Sequence, residues 1–111
     1  MAADTLVISA PMYNFAIPST PKAWIDHICR TGITFQYSAE GPKGMLTGKR
    51  AILVITTGVT PIGAAYDQTT GYLRQVMGFI GITNVEIVAA DLIMAQTDDA
   101  VAKARTAIAA L

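Results

Sequence analysis

The chain is poor in the residues that most reactive centres are built from. It holds a single cysteine, a single histidine and a single tryptophan, and charged side chains make up only 14% of it. One cysteine, Cys29, excludes an intrachain disulfide and suits a reducing compartment. One histidine, His27, and no Cys/His/Asp grouping at ligand spacing give no basis for a metal centre. No Gly-x-Ser-x-Gly occurs, which removes the nucleophile elbow of the hydrolases. Basic and acidic residues cancel, eight against eight. There is then no electrostatic footprint for nucleic acid or an anionic membrane surface. No apolar run approaches the roughly 20 residues of a membrane span. The opening Met1-Ala2-Ala3-Asp4 has no basic region of a secretion signal. The expectation is a cytoplasmic protein with no metal, no nucleic acid and no membrane partner.

What is plentiful is apolar. Hydrophobic residues reach 52% of 111 residues, enough for one compact domain. The average charged share is about 25%, so this chain is short of the polar surface a small monomer needs. Its apolar surface is expected to be buried in an oligomer, or against part of the domain outside these residues.

Three apolar runs, 5–9, 51–56 and 84–90, are rich in Val and Ile and lack alternation. That pattern predicts parallel strands covered on both faces. Three helical segments follow them in turn. The first is expected to start with Thr20 as N-cap and Pro21 at the first helical position. Its apolar stripe is Trp24, Ile25, Ile28 and Cys29, and it stops near Thr31 before Gly32. The second covers about 65–79, with a stripe of Tyr72, Leu73, Val76, Met77 and Ile80. The third, 97–111, takes Thr97 as its cap and Asp98 and Asp99 in its first turn. Its expected buried line is Val101, Ala104, Ile108 and Leu111. The β-α-β-α-β-α order implies a parallel sheet with right-handed crossovers. The irregular stretch 33–49 predicts an extended piece and a turn.

In open parallel sheets ligands bind beyond the carboxyl ends of the strands. The residues there are Pro11-Met12-Tyr13-Asn14-Phe15 after the first strand. They offer backbone amides, one carboxamide and two aromatic faces, which suit a flat polar ring better than a phosphate.

Those residues, within Ala10-Pro11-Met12-Tyr13-Asn14-Phe15, are one of several motifs in register. The others are Ser19-Thr20-Pro21-Lys22, Trp24-Ile25-Asp26, Gly32-Ile33-Thr34-Phe35-Gln36-Tyr37, Gly41-Pro42-Lys43-Gly44, Leu46-Thr47-Gly48-Lys49 and Gly78-Phe79-Ile80-Gly81. Together they resemble the C-terminal portion of the FMN-dependent NADH:azoreductase, or NADH:quinone oxidoreductase, family. The resemblance covers essentially the whole chain. It implies a flavodoxin-like, three-layer α/β/α fold with a parallel sheet, as one partial domain over 1–111 that lacks the family's first two β-α units.

The resemblance also implies function. Members pass electrons from NADH or NADPH through FMN to quinones and azo compounds, in a two-electron, ping-pong cycle, and work as homodimers. The flavin carries the chemistry and the protein orients it. Pro11, Met12, Tyr13, Asn14 and Phe15, with Thr56, Thr57, Gly58 and Val59, fall at cofactor-binding positions. Tyr37 and Phe79 fall at substrate-pocket positions, partly across a homodimer interface. No side chain is implied as a catalytic acid or base.

Two departures stand out. The family's Ser-rich loop for the FMN phosphate has no counterpart here. The family's Ser-Arg-Gly-Gly-like turn is replaced by Thr56-Thr57-Gly58-Val59, which keeps a glycine and loses the arginine. A second reading follows: a flavodoxin-like dimerisation module without tight FMN binding. With the first strand at a sheet edge, the isolated chain is expected to pair along 5–9 as a homodimer or higher oligomer. A receiver-type signalling domain shares the alternation but needs gathered acids; Asp4 precedes its strand and Asp91 stands alone.

Other residues read as structural. His27 is a solvated or interface residue, Cys29 a small core hydrophobe, and Lys49-Arg50 a solvated strand entry.

Overall fold

The computed structural model describes residues 3–111. The elements are β1 (Thr5–Pro11), α1 (Ser19–Ile28), β2 (Phe35–Ser38), β3 (Gly41–Gly44), β4 (Arg50–Thr56), α2 (Thr70–Phe79), β5 (Asn84–Ala90) and α3 (Thr97–Ala109). The strands expected from the three apolar runs pair in parallel, in the order β1-β4-β5. Thr5 lies opposite Arg50, and Arg50 opposite Asn84. All three therefore end level, at Pro11, Thr56 and Ala90.

Residues two apart share a strand face. Ile8 and Ala10 of β1 and Ala51, Leu53 and Ile55 of β4 form one such face. They share a core with Ile25 of α1, with Leu73, Val76 and Met77 of α2, and with Ile80 just after that helix. Each Leu, Ile, Val or Met side chain among them contributes on the order of 1.5–3 kcal/mol when fully buried. α3 packs on β5, burying Ala100. The result is three layers, as the alternation requires.

Coverage is uneven. Val7 of β1, on the strand face opposite Ile8, is 65% exposed. Among the described residues β1 has a partner strand on one side only. The radius of gyration, 15.0 Å, exceeds the roughly 13 Å of a compact chain this size.

Several local expectations are corrected. α1 starts at Ser19 with Pro18 at the N-cap, so Thr20 lies inside the helix. It ends at Ile28, where the Thr34 hydroxyl donates to the Ile28 carbonyl at 2.7 Å and accepts the Arg30 amide at 2.9 Å. Gly32 shapes the turn into β2 and does not stop the helix; its amide donates to the Phe35 carbonyl. Trp24 is 42% exposed and stands off the core. α2 starts at Thr70, not near 65, because Asp67 accepts the amides of Thr69 and Thr70 at 2.9 and 3.0 Å and ends the preceding loop.

The stretch 33–49 holds an antiparallel hairpin, β2 with β3. In α3 the cap is Gln96, and Thr97 donates its hydroxyl to the Ile93 carbonyl. Its covered line runs through Ala100, Ala104 and Ala107, while Val101, Ile108 and Leu111 stay substantially exposed. Alanines bring a helix close to a sheet, and that closeness decides which stripe faces inward.

Candidate functional site

The site is built at the level ends of β1 and β4. The Met12 amide donates to the Thr56 carbonyl at 2.8 Å, which ties the two strand tips together. Tyr13 and Ala16 then exchange backbone hydrogen bonds of 2.9 and 3.2 Å. Between them Asn14 and Phe15 both take left-handed conformations, with φ of 51° and 72°. This is a two-residue turn of the primed kind, which needs positive φ at both central positions. Asparagine tolerates that well. A bulky phenylalanine does not, and such a residue stores strain on the order of 1–3 kcal/mol. The turn leaves Tyr13 and Phe15 more than half exposed.

The chain leaving β4 is bound to the chain leaving β5. Thr57 donates its amide to Ala90 and accepts the Ile93 amide on its carbonyl, while Gly58 accepts the Met94 amide. The Thr57 hydroxyl donates to the Thr60 carbonyl at 2.6 Å and accepts the Leu92 amide at 3.0 Å. Leu92 is itself left-handed, φ 60°. A Cβ on Gly58 would lie 2.9 Å from the Met94 sulfur, so the glycine lets that side chain rest on the loop.

Behind this, Asp91 is buried. Burial pushes its carboxyl up, but the Ile62 amide at 3.0 Å and the Lys103 ammonium at 3.1 Å outweigh that and hold it below the usual carboxylate range.

Between the two loops lies a cleft of about 260 Å³, lined by Met12, Asn14, Phe15, Thr57, Gly58, Val59 and Thr60. An adjoining hollow of about 220 Å³ is lined by Pro11, Met12, Tyr13, Thr56, Thr57, Gly58 and Ile93. All nine residues expected at cofactor positions border one or both. No charged side chain lines either. Among the described residues, the amides of Asn14, Phe15, Gly58 and Val59 donate to no protein acceptor. An uncharged cleft with exposed aromatics, free amides and one carboxamide fits a neutral planar heterocycle with a polar edge.

Tyr37 and Phe79 lie elsewhere. Both pack on Phe35, with ring centroids 5.5 and 4.5 Å from it. Phe79 also lines a separate hollow of about 390 Å³ with Tyr72, Gln75 and Val76. That hollow is larger, but it sits on the flank of α2 rather than at the strand ends. Within one chain the two aromatics do not border the cleft.

Thr60 and Ile93 also line the site and escaped the sequence reading. The signal for Ile93 was available: β5 is a third parallel strand, and the loop after its carboxyl end belongs to the same ligand-binding edge. Cys29 packs partly buried against the core. Burial, then the charge of Asp26, push its thiol up, away from the thiolate a nucleophile needs. Among the described residues there is no metal-binding group of acids, His or Cys, and no helix long and apolar enough to cross a membrane.

Comparison with known proteins agrees with this architecture. The chain is 54% identical over 110 residues to the FMN-dependent NADH:quinone oxidoreductase 1 of Jannaschia sp., covering 99% of this chain and 58% of that protein. It is 52% identical over 109 residues to an FMN-dependent NADH:quinone oxidoreductase of Cereibacter sphaeroides, covering 98% and 56%. It superposes, with a TM-score of 0.87 and 28% identity, on the crystal structure of an FMN-dependent NADH-azoreductase from Bacillus anthracis in complex with FMN, covering 98% of this chain and 55% of that one. The chain thus spans a little over half the length of the curated relatives it matches. The family model described as the flavodoxin-like fold matches all of residues 1–111. With its parallel β1-β4-β5 sheet, its layers of helices and that match, the chain belongs to the flavodoxin-like fold family.

Proposed function

We propose that the chain contributes the flavin-ring site of an FMN-dependent oxidoreductase, which uses NADH or NADPH to reduce quinones and azo compounds. The observation that carries this is the uncharged cleft where the Met12, Asn14 and Phe15 turn meets Thr57, Gly58 and Val59 beyond the ends of two parallel strands. The names of the relatives supply the cofactor and substrate classes.

Bound FMN would supply two-electron transfer in a ping-pong cycle, oxidising the nicotinamide before the acceptor is reduced. The protein binds and orients. Asn14 and the free amides of the turn hydrogen-bond the polar edge of the ring. Met12, Tyr13 and Phe15 pack against its apolar part. The amides of Gly58 and Val59 serve the pyrimidine end, where backbone donors stabilise developing negative charge. Solvent protonates the products, so no general acid is needed. Tyr37 and Phe79 reach a substrate only if a second chain brings them to the cleft, and a homodimer is part of this reading.

A second reading has an observation of its own. A phosphate binds readily at a free helix N-terminus, and the helices here are poorly suited. The N-terminus of α2 is already taken by the Asp67 carboxylate, and α3 carries Asp98 and Asp99 in its first turn. The α1 start offers Lys22, which is paired with Asp26 at 2.7 Å. These 111 residues then form a flavodoxin-like association module that holds the flavin ring weakly and its phosphate not at all.

The test is NADH oxidation with menadione or methyl red, with and without added FMN. Flavin-dependent turnover that is lost in Asn14→Ala supports the first reading. Turnover unchanged in Asn14→Ala rejects the assigned turn. No turnover at saturating FMN leaves the association module.

A further inference from the structure

We propose that Tyr66, outside the cleft, is a positioning residue that holds the Phe15 ring in the wall where a flavin ring docks. The proposal rests on the cleft being the flavin site. Phe15 has a conformational problem: its left-handed backbone is costly for a bulky side chain, and the residue is 53% exposed. Left alone, such a turn relaxes and its ring samples several rotamers.

Two contacts from one loop prevent this. The Gln68 amide donates to the Phe15 carbonyl at 2.8 Å, fixing the strained peptide. The Tyr66 ring meets the Phe15 ring edge to face, with centroids 5.9 Å apart and planes at 87°. That geometry is the favoured one for aromatic pairs.

The loop that carries them is itself anchored on both sides of Tyr66. Asp67 accepts the amides of Gly63, Thr69 and Thr70 at 2.9–3.0 Å. The Ile62 amide is held by Asp91. Tyr66 therefore stands on a rigid support tied to α2 and to the end of β5. It meets Phe15 from outside the cleft while Phe15 lines the inside. A ligand stacking on a wall whose ring is already placed loses less conformational entropy on binding.

The experiment uses the 111-residue chain with riboflavin, which lacks the phosphate and so reports on the ring end alone. Affinity is read by quenching of flavin fluorescence for wild type, Tyr66→Phe, Tyr66→Leu and Tyr66→Ala. Two-dimensional NMR of the ligand-free chain reports the Phe15–Tyr66 ring contact. Tyr66→Phe should bind as wild type and keep the ring contact. Tyr66→Leu and Tyr66→Ala should bind about three- to tenfold more weakly, with the denaturation midpoint of Tyr66→Leu unchanged. Equal affinity in all four chains, with wild type binding riboflavin, overturns the role of Tyr66 and leaves the flavin site standing. A loss in Tyr66→Leu matched by a fall in its denaturation midpoint also overturns it, because a general structural role would do the same. No binding by wild type, with the ring contact present, overturns the flavin site and the proposal with it.

Discussion

The Thr57 hydroxyl accepts the Leu92 amide at 3.0 Å, across the tips of two neighbouring parallel strands. The same hydroxyl donates to the Thr60 carbonyl. One buried side chain thus closes its own loop and holds the loop after β5 against it. Thr57→Val keeps the shape and removes both bonds, leaving the half-buried Leu92 amide and the buried Thr60 carbonyl unsatisfied. The expected loss of stability is about 1–3 kcal/mol, read by urea denaturation. Flavin affinity should fall with it, since Gly58 and Val59 line the cleft on the freed loop.

A second relationship between backbones anchors the hairpin. A Cβ on Gly44 would lie 2.1 Å from the Gly81 nitrogen, and the neighbouring Leu46 amide donates to the Ile80 carbonyl at 2.8 Å. Backbone cannot swing aside as a side-chain tip can. Gly44→Ala should cost about 3 kcal/mol or more in chemical denaturation. Hydrogen exchange should show β2 and β3, which carry Tyr37, losing protection before the parallel sheet does.

Acid should weaken the fold through Asp67 and Asp91. For both, burial raises the carboxyl and hydrogen bonds from amides outweigh it; Lys103 adds to the effect at Asp91. Each carboxyl in the folded chain titrates below the ordinary aspartate value of 3.8. The unfolded chain then binds protons first as pH falls. The stabilisation is fully present well above pH 3.8 and is lost as pH drops through the lower folded values. Denaturation midpoints should be level in neutral solution and decline below about pH 4. Asp91→Asn should make that decline shallower while lowering the plateau.

The edge of β1 should make the 111-residue chain associate. Its outer backbone groups have no strand partner among the described residues, and Val7 is exposed on the open sheet face. Such an edge recruits another chain. Light scattering on a sizing column should report a dimer or larger species. Val7→Lys, a charge of the kind that blunts edge strands, should shift it toward monomer. A wild-type chain that elutes as a monomer at all concentrations would reject this.

Much of this was legible in the residues. The runs at 5–9, 51–56 and 84–90 became the parallel strands β1, β4 and β5, but the expected cover on both faces fails at β1, where Ile8 and Ala10 are buried and Val7 is exposed. The place of Pro11, Met12, Tyr13, Asn14 and Phe15 followed from the same reading, since the groups after a parallel strand face its ligand edge; Thr56–Val59 came from the family resemblance, and Thr60 and Ile93 were not anticipated. The hairpin was only half legible. Gly41-Pro42-Lys43-Gly44 has the chemistry of a turn, and it becomes a strand because Gly44 seats on Gly81, far away in the chain. The start of α2 was misplaced although a local signal existed: Asp67 accepts the amides two and three residues on, as an acid at a helix start does.

The sequence by itself determined the order of elements, the parallel sheet and the segments that meet at its ligand edge, because these follow from hydrophobic period and from turn residues next to each other. Tertiary structure alone decided which stripe of α3 faces inward, that Thr57 locks to Leu92, and that Tyr66 stands against Phe15. Those relationships join residues distant in the chain, and their energies come from packing and hydrogen bonds that exist only once the strands are level and the loops beyond them are brought together.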